Sequence, residues 1–142
     1  MKSRPTFREE KILWEKGYKF VIGVDEVGRG AFAGPVTVGA AVFDKVTPCT
    51  RCNLDEINDS KLLSAKKREK LSPQIKKLAL LWLTASVSVS IINKIGIGKA
   101  TQMAFRKSLR QAHDKLEGRK LFVLMGSIFV TFEESALKIK KQ

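Results

Sequence analysis

The stretch VIGVDEVGRGAFAGPVTVGAAVF, residues 21–43, decides the fold. An apolar run from Lys19 to Val24 ends abruptly at Asp25 and Glu26, the glycine-rich segment Gly28-Arg29-Gly30 follows, and Gly34-Pro35 leads into a β-branched and alanine-rich run from Val36 to Phe43. This pattern predicts two strands joined by a glycine turn. Two neighbouring carboxylates leaving a core strand repel each other and resist desolvation, so a positive group is expected beside them. Magnesium and manganese suit that role as hard cations that prefer oxygen ligands and retain waters. A solvated turn is the plainer reading of the same dipeptide. Gly28 and Gly30 carry no side-chain bulk, which would let backbone N–H groups approach a phosphate or sugar while Arg29 adds charge. A tight hairpin turn would ask for glycine there on geometry alone.

Working outward, Thr6 and Glu9 have the spacing of a capping box, Ile12, Leu13 and Trp14 follow, and Gly17 stands where a helix-ending glycine would, so a leading helix is expected over about residues 6–17. Downstream, Thr47 to Asn58 is polar and turn-like. Ser64 is placed to cap a helix running to Leu78, with Leu71, Ile75 and Leu78 at helical spacing. Leu83, Ala85, Val87 and Val89 alternate with Thr84, Ser86, Ser88 and Ser90, the period of a half-exposed strand. A second helix is expected from about Lys99 to Leu116, with Ala100, Met103, Ala104, Ala112 and Leu116 as its core stripe and Arg106, Lys107 and Arg110 facing elsewhere. Leu121 to Met125 reads as a short buried strand that Ile128 to Phe132 extends or pairs with. The order predicts an α/β fold, a mixed sheet with helices packed on it, in one domain spanning residues 1–142.

The formal charge is +13, and it is unevenly placed: residues 1–60 hold nine basic and nine acidic side chains, whereas residues 61–142 hold 18 basic and 5 acidic. A polyanion is the natural partner of such a balance, although a solvated basic surface has the same composition. Cys49 and Cys52 form a lone C-x-x-C with no second pair, and His113 is the one histidine, so two loop thiols in a reducing compartment are a simpler reading than a zinc site. The start, MKSRPTFREEKILWEKGYKF, has charges every few residues and no secretion-signal core. The apolar stretch from Leu78 to Ile92 is broken by Thr84, Ser86, Ser88 and Ser90 and falls short of the roughly 20 residues a membrane span needs. A cytoplasmic monomer without a membrane partner is expected.

The same residues resemble a known family. Residues 21–43 look like the opening signature of ribonuclease HII, Asp59-Ser60-Lys61-Leu62-Leu63-Ser64 is similar to that family's D-S-K-K-L-S, and Ile95 to Thr101, IGIGKAT, matches a third segment in order and spacing. The resemblance implies the ribonuclease H fold, here incomplete at its C-terminal side. It also implies metal-dependent endonucleolytic hydrolysis of the RNA strand of an RNA-DNA hybrid, or of a DNA duplex with embedded ribonucleotides, to 5′-phosphate products. On this reading Asp25 and Glu26 are catalytic and bind manganese or magnesium. The family's G-R-G loop, which recognises the ribonucleotide at an RNA-DNA junction, falls on Gly28, Arg29 and Gly30, and the family lysine near the substrate falls on Lys61.

The family reaction uses four carboxylates around two metal ions. Its third acid ends the strand after the IGIGKAT helix; this chain has Val123-Leu124-Met125-Gly126-Ser127, with Gly126 in the aligned place. Glu133 and Glu134 lie seven and eight residues beyond and would reach the same metal only if the backbone doubled back. The fourth acid is expected in a segment past Gln142. The sequence therefore predicts a ribonuclease HII by descent with weak metal binding and little or no cleavage. The alternative is a module that binds RNA or hybrid through its basic second part without a metal.

Overall fold

The computed structural model describes residues 6–45, 56–117, 121–125 and 128–132. Five strands form one sheet: β1 (Phe20–Val27), β2 (Val36–Phe43), β3 (Leu81–Val87), β4 (Leu121–Met125) and β5 (Ile128–Phe132), in the spatial order β3-β2-β1-β4-β5. The β1/β2, β2/β3 and β4/β5 pairs are antiparallel and β1/β4 is parallel, so the sheet is mixed, as expected. The helices are α1 (Arg8–Glu15), α2 (Ala65–Leu78), α3 (Val89–Ile95) and α4 (Ile97–Lys115).

The period of two in β1 and β2 sorts their side chains onto two faces. Ile22 and Val24 of β1 share one face with Val36, Val38, Ala40 and Val42 of β2, Leu83 and Val87 of β3 and Val123 of β4, and α4 covers it with Ala100, Ala104, Leu109 and Ala112. Alanine at helical spacing lets α4 sit close to a β-branched sheet surface. Ile22, Val36, Val38 and Val42 have no exposed surface at all, so this layer is the main core. On the opposite face α1 packs Leu13 and Trp14 on Val21, with Phe7, Tyr18, Phe43 and Phe122 around them. Phe7 meets Phe43 edge-on at 5.5 Å between ring centres.

Several boundaries differ from the sequence expectation. The leading helix is shorter than residues 6–17, and the Thr6–Glu9 capping box does not form: Phe7 is the N-cap without a side-chain bond, and Thr6 Oγ1 accepts from the Arg8 amide instead, at 3.4 Å. Packing of Phe7 against Trp14 and Phe43 sets the start of the helix and overrides the local signal. The helix end is as read, because Tyr18 N–H donates to Leu13 and Gly17 N–H to Trp14, the paired bonds of a glycine-terminated helix, with Gly17 at φ +89°. Ser64 does cap α2, its Oγ accepting from the Lys67 amide at 3.3 Å.

The alternating strand stops at Val87 rather than running on to Ser90, and Val89 begins the short α3. Val36, which pairs with Val87, is the first residue of β2, so Val89 has no strand partner to pair with. In α4 the predicted stripe holds at Ala100, Ala104 and Ala112, but Met103 is 43% exposed and Ser108, Leu109 and His113 are buried instead. Cys49 and Cys52 lie outside the described residues.

Candidate active site

Asp25 and Glu26 lie inside β1, not beyond its end, paired with Gly39 and Val38 of β2. On the other side of β1 the ladder with β4 runs, among the described residues, from Phe20 to Gly23. The two carboxylates therefore occupy the part of β1 that is hydrogen-bonded to β2, beyond the last β1/β4 pair among the described residues. Strand alternation starts them on opposite faces: Asp25 follows Val21 and Gly23, whereas Glu26 follows Ile22 and Val24. Asp25 is exposed and Glu26 is half-buried.

Asp25 Oδ1 accepts the Glu26 amide at 2.9 Å, which orients one oxygen along the backbone and leaves the other free of a protein bond at this carboxylate. Across the ladder stands Gly39, and no atom lies within 4 Å of where a Cβ would be placed on it, so there is open space beside Asp25. This space belongs to a groove of about 780 Å³ between α2 and the sheet. Its floor includes Gly23, Ala41 and Trp82, its far wall Leu71 and Ile75 of α2, and its rim Asp25, Asn58, Ser60 and Arg68. Glu26 Oε1 meets Arg29 Nη1 at 3.4 Å, an exposed pair that ties the glycine segment to β1.

The two glycines of that segment differ. Gly28 has φ +98°, and a Cβ on it would stand 2.4 Å from the Pro35 carbonyl oxygen, so the backbone itself demands glycine. Gly30 has neither a positive φ nor any atom within 4 Å of a Cβ position. The turn's own geometry explains the first glycine and leaves the second unexplained. Residues 28–35 form a longer connection than a tight hairpin turn, with one internal bond from Ala31 N–H to the Gly28 carbonyl at 3.3 Å.

Lys61 is the middle residue of a 3-10 turn, Ser60–Leu62, and its amide donates to Asp59 Oδ1 at 3.0 Å. Its side chain is exposed, and it is Asn58 and Ser60, not Lys61, that line the groove with Asp25. Sequence reasoning missed Arg68. From α2, its Nη1 donates to the carbonyls of both Ser60 and Leu63, pinning the turn that carries Lys61 to the helix. An arginine four residues after the Ser64 cap was visible in the sequence, but nothing there distinguishes it from neighbouring surface cations. Gly39 was missed too, although an isolated glycine within a strand signals a place where something approaches the backbone.

Among the described residues no group of three or more His, Cys, Asp or Glu side chains is arranged to hold a metal ion. Of the acidic pair, Asp25 alone borders the groove, while Glu26 starts from the other face of β1 and is engaged by Arg29. A carboxylate beside open space suits a hard cation such as magnesium or manganese, which takes one or two carboxylates and completes its shell with water and substrate phosphate. Gly126, Glu133 and Glu134 lie outside the described residues. No described helix is long and apolar enough to cross a membrane.

A sheet of this order with an acidic pair on its central strand defines a ribonuclease H-like fold, and solved structures agree. Bst-RNase HIII in complex with Mn2+ superposes with a TM-score of 0.58 at 21% identity, over 75% of this chain and 36% of that one. A mutant of Bst-RNase HIII gives the same TM-score at 22% identity. Within that fold the chain belongs to the ribonuclease HII family, whose sequence model matches residues 22–130. The Ribonuclease HII of Chlorobium chlorochromatii is 45% identical over 101 residues, which is 71% of this chain and 48% of that protein. The Ribonuclease HII of Desulfitobacterium hafniense is 36% identical over 135 residues, 95% of this chain and 47% of that protein. The chain spans about half the length of these curated relatives.

Proposed function

We propose that this chain carries the first half of an endonuclease site for the RNA strand of RNA-DNA hybrids, with Asp25 and Glu26 as metal-binding catalytic residues. The observation that carries this reading is the position of Asp25: an exposed carboxylate on the central strand, past the last described β1/β4 pair and beside a groove, within a segment that matches the ribonuclease HII family. A bound manganese or magnesium would activate water and stabilise the leaving 3′-oxygen of the phosphodiester.

The chain's own residues bind and orient. Asp25 holds one oxygen against the Glu26 amide and offers the other to the groove. Gly28 sets the course of the loop, and Gly30 leaves backbone bare for close approach of a ribose, whose 2′-hydroxyl is the group that separates RNA from DNA. Arg29, now paired with Glu26, would exchange that partner for a substrate phosphate as the carboxylate turns to a cation. Lys61 adds positive charge from a turn held by Asp59 and Arg68.

With Gly126 in the aligned place of the third acid, the remaining two carboxylates would bind a divalent ion weakly. Little or no cleavage by the chain as given is therefore expected, and the test is a labelled duplex with one ribonucleotide, incubated with manganese, magnesium or chelator. The comparison protein is a Gly126→Asp variant extended by the C-terminal segment of a relative. Metal-dependent cleavage by the extended variant alone supports the reading; cleavage by neither protein removes it. Cleavage by the chain as given, lost in Asp25→Asn, keeps the nuclease and overturns the assignment of Gly126 to the third acid's place.

A further inference from the structure

We propose that the outer face of α4 is a binding surface for the phosphate backbone of a nucleic-acid duplex, separate from the Asp25 groove. The buried residues Ala100, Ala104, Ser108 and Ala112 define the inner face of this helix. On the opposite side Lys99, Met103, Arg106 and Arg110 recur every three or four residues, which sets them in one line, with Lys107 beside it. All four cations are exposed, and none takes part in an ion pair among the described residues. They line a shallow groove whose one acidic member, Asp114, lies at its far end and leans towards His113 at 3.9 Å. From Lys99 to Arg110 the stripe is roughly 16 Å long at the helical rise per residue.

Duplex DNA carries one negative charge for about every 1.7 Å of axis, so a cationic line of this length meets several phosphates. Sheet topology aims the stripe. β3 runs in the same direction as β1, because both are antiparallel to β2, and α3 and α4 begin where β3 ends. Lys99 therefore lies towards the end of the sheet that holds Asp25 and Glu26, and Arg110 lies towards the opposite end. A duplex lying along α4 would track from that end of the sheet down the flank of the molecule. Single strands and acidic proteins also carry negative charge, but a straight, rigid row of cations on a helix matches a stiff, regularly charged duplex best. Met103 within the row adds no hydrogen-bonding group that would read a base, so the contact is expected to be independent of sequence.

The hybrid-nuclease reading supports the choice of a duplex, and the charge and geometry of the surface stand without it. The test is the binding of a fluorescein-labelled RNA-DNA hybrid and of a DNA duplex, followed by anisotropy across a salt series. The full chain is compared with Lys99→Gln/Arg106→Gln/Lys107→Gln/Arg110→Gln, and with Arg8→Gln/Lys11→Gln/Lys16→Gln/Lys19→Gln, which removes the same charge around α1, before the start of β1 and so at the far end of the sheet. The α4 variant is expected to bind at least about tenfold more weakly at 0.1 M salt and to lose up to about 3.6 from the slope of log affinity against log salt, about 0.9 for each phosphate contact. The α1 variant should lose much less. The single substitutions Lys99→Gln and Arg106→Gln, each expected to lower the slope by about 0.9, carry the same test should the fourfold variant fold poorly. Unchanged affinity and slope in the α4 variant, an equal loss in the α1 variant, or no duplex binding by the unmodified chain would each overturn the proposal. If the α4 surface binds both duplexes and the extended Gly126→Asp protein cuts neither, the nuclease reading fails and the surface stands. If that protein cuts and removing the α4 cations leaves its KM unchanged, the surface fails and the nuclease stands.

Discussion

Gly28 and Gly30 sit in one loop, and only the first is required by the backbone. An alanine at position 28 would hold a positive φ and drive its Cβ to 2.4 Å from the Pro35 carbonyl oxygen. Gly28→Ala should therefore cost about 1–3 kcal/mol, the usual range for enforced backbone strain, read as a lowered denaturation midpoint. Gly30→Ala meets no atom and no strained φ, so its midpoint should stay within about 0.5 kcal/mol of the unmodified chain. Its effect should appear instead as weaker hybrid binding. An equal stability loss at both positions would remove the distinction. Glu10 on α1 makes a second residue-scale prediction. Burial, helped by the charge of Glu9 and opposed by a hydrogen bond to its own backbone, pushes this carboxyl above its ordinary value of 4.5. A raised carboxyl favours the protonated form in the folded state, so its contribution to stability is full below the unfolded value and is lost as pH rises through the folded one. Glu10→Gln should then stabilise the protein at neutral pH and lose that advantage on acidification below about 4.5. A denaturation midpoint difference that does not change with pH would show that burial is not what shifts this group. The sequence marked Asp25, Glu26 and the glycine segment because strand-end acids and paired glycines stand out from their neighbours. It could not separate Gly28 from Gly30, because that depends on where Pro35 returns.

At the scale of elements, the legible parts are those whose signal is local. The Ser64 cap, the Gly17 helix end and the alternation of β2 each depend on residues within one turn or one strand. The misread parts depend on partners distant in sequence: α1 starts where Phe7 meets Phe43, and Val89 leaves the sheet because β2 begins at Val36. The Ser60–Leu62 turn shows the same principle at a functional place. It has no buried residue, so packing does not hold it; Asp59 caps it from within and Arg68 grips two of its carbonyls from α2. Arg68→Ala would leave the Ser60 and Leu63 carbonyls without this charged donor, a loss of about 1–3 kcal/mol when such bonds are made to a charged group, reduced here because the site is exposed. The sharper expectation concerns the turn alone: backbone amide exchange should speed up at Lys61 and Leu62 and remain unchanged along β1. Uniform acceleration through the sheet would mean that Arg68 supports the whole fold rather than the turn.

For the molecule as a whole, family and fold were readable because three motifs in order span most of the chain, whereas the expected gap at Gly126 falls outside the described residues. Whole-molecule charge has a consequence of its own. The net charge is +13, and ion pairs such as Arg29–Glu26 and Lys70–Glu56 are surface side-chain pairs at 3.3–3.4 Å, while His113–Asp114 depends on a protonated His113. Exposed pairs contribute about 0–1 kcal/mol each, so little attraction is lost on screening. Like-charge repulsion, with 27 basic side chains outnumbering 14 acidic ones, then outweighs that attraction in the folded state. Screening length falls from about 30 Å at 0.01 M salt to about 3 Å at 1 M, so Tm at pH 7 should rise with sodium chloride over this range. A short duplex should raise it at far lower ionic strength, because a bound polyanion neutralises the charge where it is densest and also stabilises by mass action. Scanning calorimetry against salt, with and without duplex, separates the two effects. A Tm that falls steadily with salt would show that attractive pairs outweigh repulsion, and the basic excess would then be balanced within the fold rather than left for a polyanion to meet.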